Sequence, residues 1–416
     1  MTKLQKIIWG ILALVDIVLL IILKPYIVNH LPMLAQESID AYDDIIVGII
    51  STVFWGALQF MNNFAIKFLA NSKFIYNLLS KIFGLSKDNI RKYIQMMLKF
   101  AFSVKTKWGP NLHSSNKKIA NIAEGLLACV DALKVGIDLP DNYILEAKSI
   151  ANDLLNELTI DGYKSYNENV YTVHCTSMAL YALKRCSEVN LISVNQKKRR
   201  LIEQCLKQML QNANECGWGF ENKKYDEIQY DRAFSTIWAL RALNMWGFSK
   251  EASFSRILKN LIGYTNGVIG FGTQSVSKTT PTAMLICLLD EIGDNDIKDK
   301  ILEVIDTKAV ITYLCKHIKE TEVEQYNINL DTNKYLPWNH LSECYVLMTL
   351  LHHRDQMNKI QLFKVMWNMK KICKKIDPKQ YYYIVESLGF NHSDPFFYPT
   401  TYLISLFCCF VSQDNS

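Results

Sequence analysis

Cationic side chains recur beside aromatic rings in the segments that lead into the most apolar stretches of this sequence. His113, Lys117, His174, Tyr230, Arg232, Lys278 and His340 share those segments with Trp218, Phe220, Phe271 and Trp338. Cations next to aromatic faces suit a nucleotide or oligonucleotide, through phosphate pairing and base stacking. The same residues also fit a plainer role, with rings filling wedges between helices and cations solvated at a rim. His340 and Cys344 stand four apart on one helix face, a spacing that can hold a metal. His174-Cys175 opens another apolar helix. Neither pair comes with a placed third ligand, so no metal and no cofactor are expected. Gly267–Gly272 is glycine-rich but lacks the Lys-Ser/Thr of a phosphate loop, and there is no nucleophile elbow. No catalytic residue is assigned.

What must position these groups is a repeat. The stretch CGWGFENKKYDEIQYDRAFSTIWALRAL, residues 216–243, joins a Gly-Trp-Gly-Phe turn to a small-residue helix written Thr-x-x-Ala-Leu-x-Ala-Leu. Related pairs follow along the chain: Trp108-Gly109 with IAEGLLACVDAL, Gly162-Tyr163 with TSMALYAL, and Gly270-Phe271-Gly272 with TAMLICLL. Pro337-Trp338 with CYVLMTLL and Phe396-Phe397 with TYLISLF complete six units. The aligned slot falls at Leu126, Thr176, Thr236, Thr282, Cys344 and Thr400, about 55 residues apart. Apolar or small residues recur three, four, six and seven positions beyond it, on one helix face. Charged amphipathic stretches such as KKRRLIEQCLKQMLQNA alternate with these helices. Six helical hairpins can close into a ring, small-residue helices inside and amphipathic ones outside. An open superhelical solenoid obeys the same repeat logic.

Half of the 416 residues are hydrophobic, enough for a substantial core, and a net charge of +6 permits anionic partners without naming one. The eleven cysteines are scattered through apolar patterns without Cys-x-x-Cys, and read as small buried hydrophobes in a reducing compartment. The first sixty residues differ. IIWGILALVDIVLLIIL (7–23) and IIVGIISTVFWGALQF (45–60) approach the ~20 residues that cross a bilayer. They read as two retained spans, with two buried core helices as the alternative. Lysines flank the pair while the linker between is acidic, which places both ends in the cytoplasm of an inner membrane. Asp16 in mid-span costs ~3 kcal/mol or more and implies a partner or a watery path. Gly48, Ser51, Thr52 and Gly56 suit close packing between helices. Residues 64–85 read as an interfacial amphipathic helix. The expected organisation is thus 1–63 membrane hairpin, 64–85 linker helix and 86–416 repeat domain.

The Gly-Trp-Gly-Phe turn and Thr-x-x-Ala-Leu-x-Ala-Leu helix resemble the repeats of the α/α-toroid superfamily. This contains squalene–hopene cyclase-like terpene cyclases, protein prenyltransferase β subunits and complement thioester domains. The resemblance implies an all-α chain, a transmembrane hairpin followed by a six-hairpin α/α toroid, with the cation–aromatic segments at the cavity mouth. The Asp-x-Asp-Asp acid of the cyclases is missing; Asp40-x-x-Asp43-Asp44 has other spacing and precedes the repeats. The prenyltransferase zinc set is incomplete. The layout also resembles membrane effectors of nucleotide-signalled bacterial antiphage systems, CBASS-like systems and Hailong. The resulting expectation is a catalytically silent toroid that senses a small anionic ligand made by a partner enzyme and gates an oligomeric pore. The competing expectation is a membrane-tethered enzyme acting on an isoprenoid.

Overall fold

The structure, a computed structural model, describes residues 72–109, 118–164, 170–219, 221–224, 233–263, 279–303, 305–318, 326–327, 335–336, 339–377, 379 and 397–413. The chain divides into two compact units, Met1–Asn77 and Leu78–Ser416. Of the first, only the start of helix α1 (Ser72–Ile82) is described. The two apolar segments 7–23 and 45–60, with Asp16, Gly48, Ser51, Thr52 and Gly56, lie outside the described residues.

The second unit is built from helical hairpins in chain order. They are α2 (Lys87–Ser103) with α3 (Ile119–Lys134), α4 (Asp141–Glu157) with α5 (Val173–Glu188), and α6 (Gln196–Asn212) with α7 (Ala233–Met245). There follow α8 (Ala252–Gly263) with α9 (Thr279–Glu291), a short α10 (Asn295–Leu302), α11 (Thr307–His317) with α12 (Asn339–His352), and α13 (Lys359–Lys374) with α14 (Phe397–Ser412). A two-residue antiparallel ladder pairs β1 (Tyr326–Asn327) with β2 (Tyr335–Leu336). The amphipathic stretch at 297–318 is broken because Asp306 caps α11, its carboxylate accepting from Ala309 N.

Amphipathicity sorts the helices into two layers. On α6 only Ile202, Cys205, Leu206 and Met209 are buried, whereas α5 buries ten of its residues from Val173 to Cys186. Around the inner layer, α3 packs on α5, α5 on α7, α7 on α9, α9 on α12, α12 on α14 and α14 back on α3. That last contact settles ring against solenoid. Tyr402 of α14 bonds Glu124 of α3, 278 residues away, and Ser405 bonds Asp131 across 274.

The glycine turn works through a threonine. Gly217 has φ +122°, and a Cβ there would lie 2.4 Å from Thr236 Oγ1. Gly162, at φ +98°, would put one 2.2 Å from Thr176 Oγ1. Both threonines accept from the backbone amide that follows the glycine, Trp218 N at 3.2 Å and Tyr163 N at 2.9 Å. The ring that follows is buried and anchored to the outer helix behind it: Trp218 Nε1 donates to Met209 O, Tyr163 Oη to Leu154 O and Trp108 Nε1 to Ala101 O. The first hairpin turns on Lys107 and Trp108 at positive φ instead, and there the slot is Leu126 rather than threonine. Glycine and threonine therefore occur together because the inner helix presses its first buried turn against the backbone of the turn.

Candidate functional site

Between the apolar positions of the slot alignment lies the fifth, which the alignment leaves unassigned. It holds Asp131, Tyr181, Arg241, Cys287, Thr349 and Ser405, one from each inner helix and every one with a polar atom. Ser405 donates to Asp131 Oδ2 at 2.7 Å, Arg241 Nη2 to the Tyr181 hydroxyl at 2.9 Å, and Thr349 Oγ1 lies 3.3 Å from Cys287 Sγ. Glu291, one turn farther on, accepts from Arg241 Nε at 2.9 Å and from Tyr181 Oη at 2.7 Å. Tyr181 on α5 and Glu291 on α9 belong to helices separated by α7, so the bond between them crosses the ring interior. Arg185 completes the network by binding Asp131 Oδ1 at 3.0 Å and Tyr181 Oη at 3.1 Å. Both arginines are thus held by carboxylates, and burial raises the Tyr181 phenol.

One turn nearer the N-terminal ends, the same helix faces carry a second set. Trp238 and Ser235 precede Arg241, Ser177 precedes Tyr181, Tyr345 precedes Thr349, Tyr402 precedes Ser405 and Glu124 lies two turns before Asp131. The Arg241 guanidinium sits 4.5 Å from the centres of both the Tyr181 and Trp238 rings. The Tyr345 and Tyr402 rings lie 5.1 Å apart, and the Tyr402 hydroxyl donates to Glu124 Oε1 at 3.1 Å. Glu124 is 7% exposed. Burial, only partly offset by the Tyr402 bond, pushes its carboxyl up to about 8. Glu124 Oε2, Trp238 Nε1, Ser177 Oγ and Ser235 Oγ are all buried without a hydrogen-bond partner among the described residues. Buried polar atoms are paired as a rule, and these four, on three successive inner helices, depart from it.

The raised carboxyl has a measurable consequence. Between 4.5, its ordinary value, and about 8 the folded state keeps a proton on Glu124 that the unfolded chain has lost. Its contribution to stability is therefore complete below pH ~4.5, falls by at most ~1.4 kcal/mol per pH unit across the window, and levels off above it. Glu124→Gln removes this slope. Denaturation midpoints of variant and parent should agree near pH 4, with the variant the more stable at pH 8. A parallel pH dependence in both would show that Glu124 does not titrate this way.

Few of the residues expected from the sequence fall in this cluster. Trp218 belongs to the turn and is buried on Met209, as described. His174 stands at the N-terminal edge of α5 with its ring 4.9 Å from that of Phe234. Cys344 is buried, which raises its thiol. His113, Lys117, Phe220, Tyr230, Arg232, Phe271, Lys278 and Trp338 lie outside the described residues, as does the side chain of His340. Among the described residues no group of three His, Cys, Asp or Glu could hold a metal ion. The fifth-position layer was missed because the repeat was read from its apolar positions, although Tyr181 in ALYAL and Arg241 in ALRAL occupy it openly.

No protein-family model matches the sequence, and no curated protein matches it. Solved structures do. An inactive variant of the α-1,6-mannanase GH76A of Salegentibacter sp. HEL1_6, two consecutive aspartates replaced, in complex with α-1,6-mannotetrose, matches with a TM-score of 0.53 and 9% identity. The match covers 78% of this chain and 99% of that one. A second such variant, with α-1,6-mannotriose, gives 0.54 at 9% identity over 78% and 99%. The GH76 α-mannanase of Bacteroides thetaiotaomicron gives 0.53 at 9% over 78% and 96%.

These matches correct the functional expectations drawn from the sequence. The silent nucleotide sensor gating a pore for antiphage defence, and the isoprenoid enzyme, took their chemistry from other proteins of this ring architecture or of similar layout. The three solved structures described above are α-mannanases. The physical reason is that the turn repeat specifies how successive hairpins pack and is indifferent to what fills the space they enclose. Among the described residues of the interior network, Arg185 and Arg241 are each engaged by a carboxylate, Asp131 and Glu291 respectively. Placement as a two-pass inner-membrane protein with a cytoplasmic toroid is corrected as well. Among the described residues no helix is long and apolar enough to cross a membrane, and the segments that suggested spans lie outside them. The second unit has the α/α-toroid fold.

Proposed function

We propose that the toroid is a carbohydrate-active module that takes a neutral oligosaccharide into the N-terminal half of the ring interior, with Glu124 as its proton donor. The observation that carries this reading is the cluster of Glu124 Oε2, Trp238 Nε1, Ser177 Oγ and Ser235 Oγ, buried and without partners among the described residues. A saccharide brings hydroxyls to such atoms and C–H faces to rings such as Trp238, Tyr345 and Tyr402. A carboxyl held near 8 is protonated at neutral pH, as a general acid at a glycosidic oxygen must be. The mannooligosaccharides carried by the matched mannanases are the first ligands to try.

Hydrolysis needs a second carboxylate as base or nucleophile. Within the interior network Asp131 is held by Arg185 and Ser405, and Glu291 by Arg241 and Tyr181. Consecutive aspartates occur in this sequence only at Asp43-Asp44. That observation favours a second reading, capture of the saccharide without cleavage. Titration of the purified chain with α-1,6-mannotetraose, followed by intrinsic fluorescence and by reducing-end release, separates the two. Cleavage should fall about 10²- to 10⁴-fold in Glu124→Gln with binding retained. Binding without product supports capture. No binding of this or any other neutral oligosaccharide overturns both.

A further inference from the structure

The outward face of an outer helix should be polar, and that of α13 is not. Ile360, Phe363 and Trp367 follow one another at helical spacing on its solvent side, 72%, 47% and 43% exposed. Phe83, just beyond α1, packs its ring edge-on against both aromatics, at 5.4 Å from Phe363 and 5.7 Å from Trp367. Ile82 beside it is 64% exposed. Exposed apolar side chains scattered singly mean little; here they adjoin one another.

The charged side chains on the helix that carries the stripe have one sign. Helix α13 carries Lys359, Lys364, Lys370, Lys371 and Lys374 and no carboxylate, and Lys81 stands one residue before Ile82. Lys371 Nζ lies 5.7 Å from the centre of the Trp367 ring. Aliphatic and aromatic side chains within a border of lysines describe an interfacial surface, where rings sit at headgroup depth and ammonium groups meet lipid phosphates. A neutral glycan would have no use for the lysines, and a second copy of the same lysine-bordered surface would be repelled.

We propose that the stripe Ile360–Phe363–Trp367, with Ile82 and Phe83 alongside and lysines around it, docks the toroid on an anionic lipid surface. Apposition of this kind requires no membrane-crossing helix. It stands independently of the carbohydrate reading, since none of its residues belongs to the ring interior.

Hydroxyl-radical footprinting of the full chain, read at Phe363 and Trp367, tests it. Three samples are compared: no lipid, phosphatidylcholine vesicles, and phosphatidylcholine vesicles containing phosphatidylserine. Protection of both residues is expected only in the third. The variant Lys364→Gln/Lys371→Gln/Lys374→Gln should need about a hundredfold more vesicles for half-protection, at ~1 kcal/mol per lysine. Equal protection by neutral vesicles, or none with either, overturns the proposal. So does protection without lipid: if it grows with protein concentration the occupant is a second copy, and if it does not the occupant is another segment of this chain.

Discussion

Arg241→Met should destabilise the toroid by about 3–5 kcal/mol, read as a shift in the urea midpoint at pH 7. Arg241 is 8% exposed and makes two bonds to Glu291 and one to Tyr181 while lying over two aromatic rings. Methionine restores much of the aliphatic volume, so the loss reports on charge. What remains is a Glu291 carboxylate in the ring interior, with the Tyr181 hydroxyl as its closest donor. The pair is largely buried, its side chains 10% and 22% exposed, so removing one partner leaves the other most of its desolvation penalty. Arg241→Met/Glu291→Met should therefore recover more than half of the loss. If the double variant is as unstable as the single, the pair is no electrostatic unit and the cost lies in packing between α7 and its neighbours. Secondary structure by circular dichroism should persist in both variants, because the inner helices keep their apolar contacts.

The network around Arg241 shows what a repeat reveals and what it hides. The turns and the alternation of helix types were legible because both follow from local constraints repeated along the chain. A glycine at φ +122° facing a threonine, or a charged helix face every 55 residues or so, leaves a pattern in any single unit. Ring closure was only half legible, since nothing within a unit states that α14 must meet α3. The closing bonds from Tyr402 to Glu124 and from Ser405 to Asp131 join residues of different type at opposite ends of the domain. The interior was hidden for a related reason. The fifth position differs in every unit, with Asp, Tyr, Arg, Cys, Thr and Ser in turn, so periodicity averages it away. Those differences are complementary: the acid meets a hydroxyl and an arginine, and the tyrosine bridges two arginines and a glutamate. Cations were instead sought in the segments entering the inner helices, because residues that flank a turn stand out in sequence. Trp218 shows the hazard, since its place beside glycine marks a packing ring whose indole is committed to the Met209 carbonyl.

Gly217→Ala should be as damaging as the loss of Arg241, and its cause can be isolated. The new methyl would meet Thr236 at 2.4 Å from Oγ1 and 2.6 Å from Cγ2, distances that no rotamer change of alanine can relieve. Either the turn or the start of α7 must move, and movement breaks the bond from Trp218 N to Thr236. Left-handed backbone alone costs an alanine ~1–2 kcal/mol. The collision and the orphaned amide bring the expected total to ~3–5 kcal/mol. Gly136→Ala supplies the reference: its φ is +70° with nothing within 4 Å of the added carbon, so only the backbone penalty applies. Thr236→Ala should cost ~1–3 kcal/mol through the unpaired Trp218 amide. In that background the two closest atoms are gone and only Cβ, 3.0 Å from the added carbon, remains, so adding Gly217→Ala should cost less than it does beside Thr236. The coupling between 217 and 236 is then ~1–3 kcal/mol in a double-mutant cycle. Strict additivity would mean that glycine is needed for its backbone conformation alone. Coupling of the expected size would mean that the threonine of one helix selects the glycine of the turn before it, and that the same rule applies between Thr176 and Gly162, where the approach is closer still.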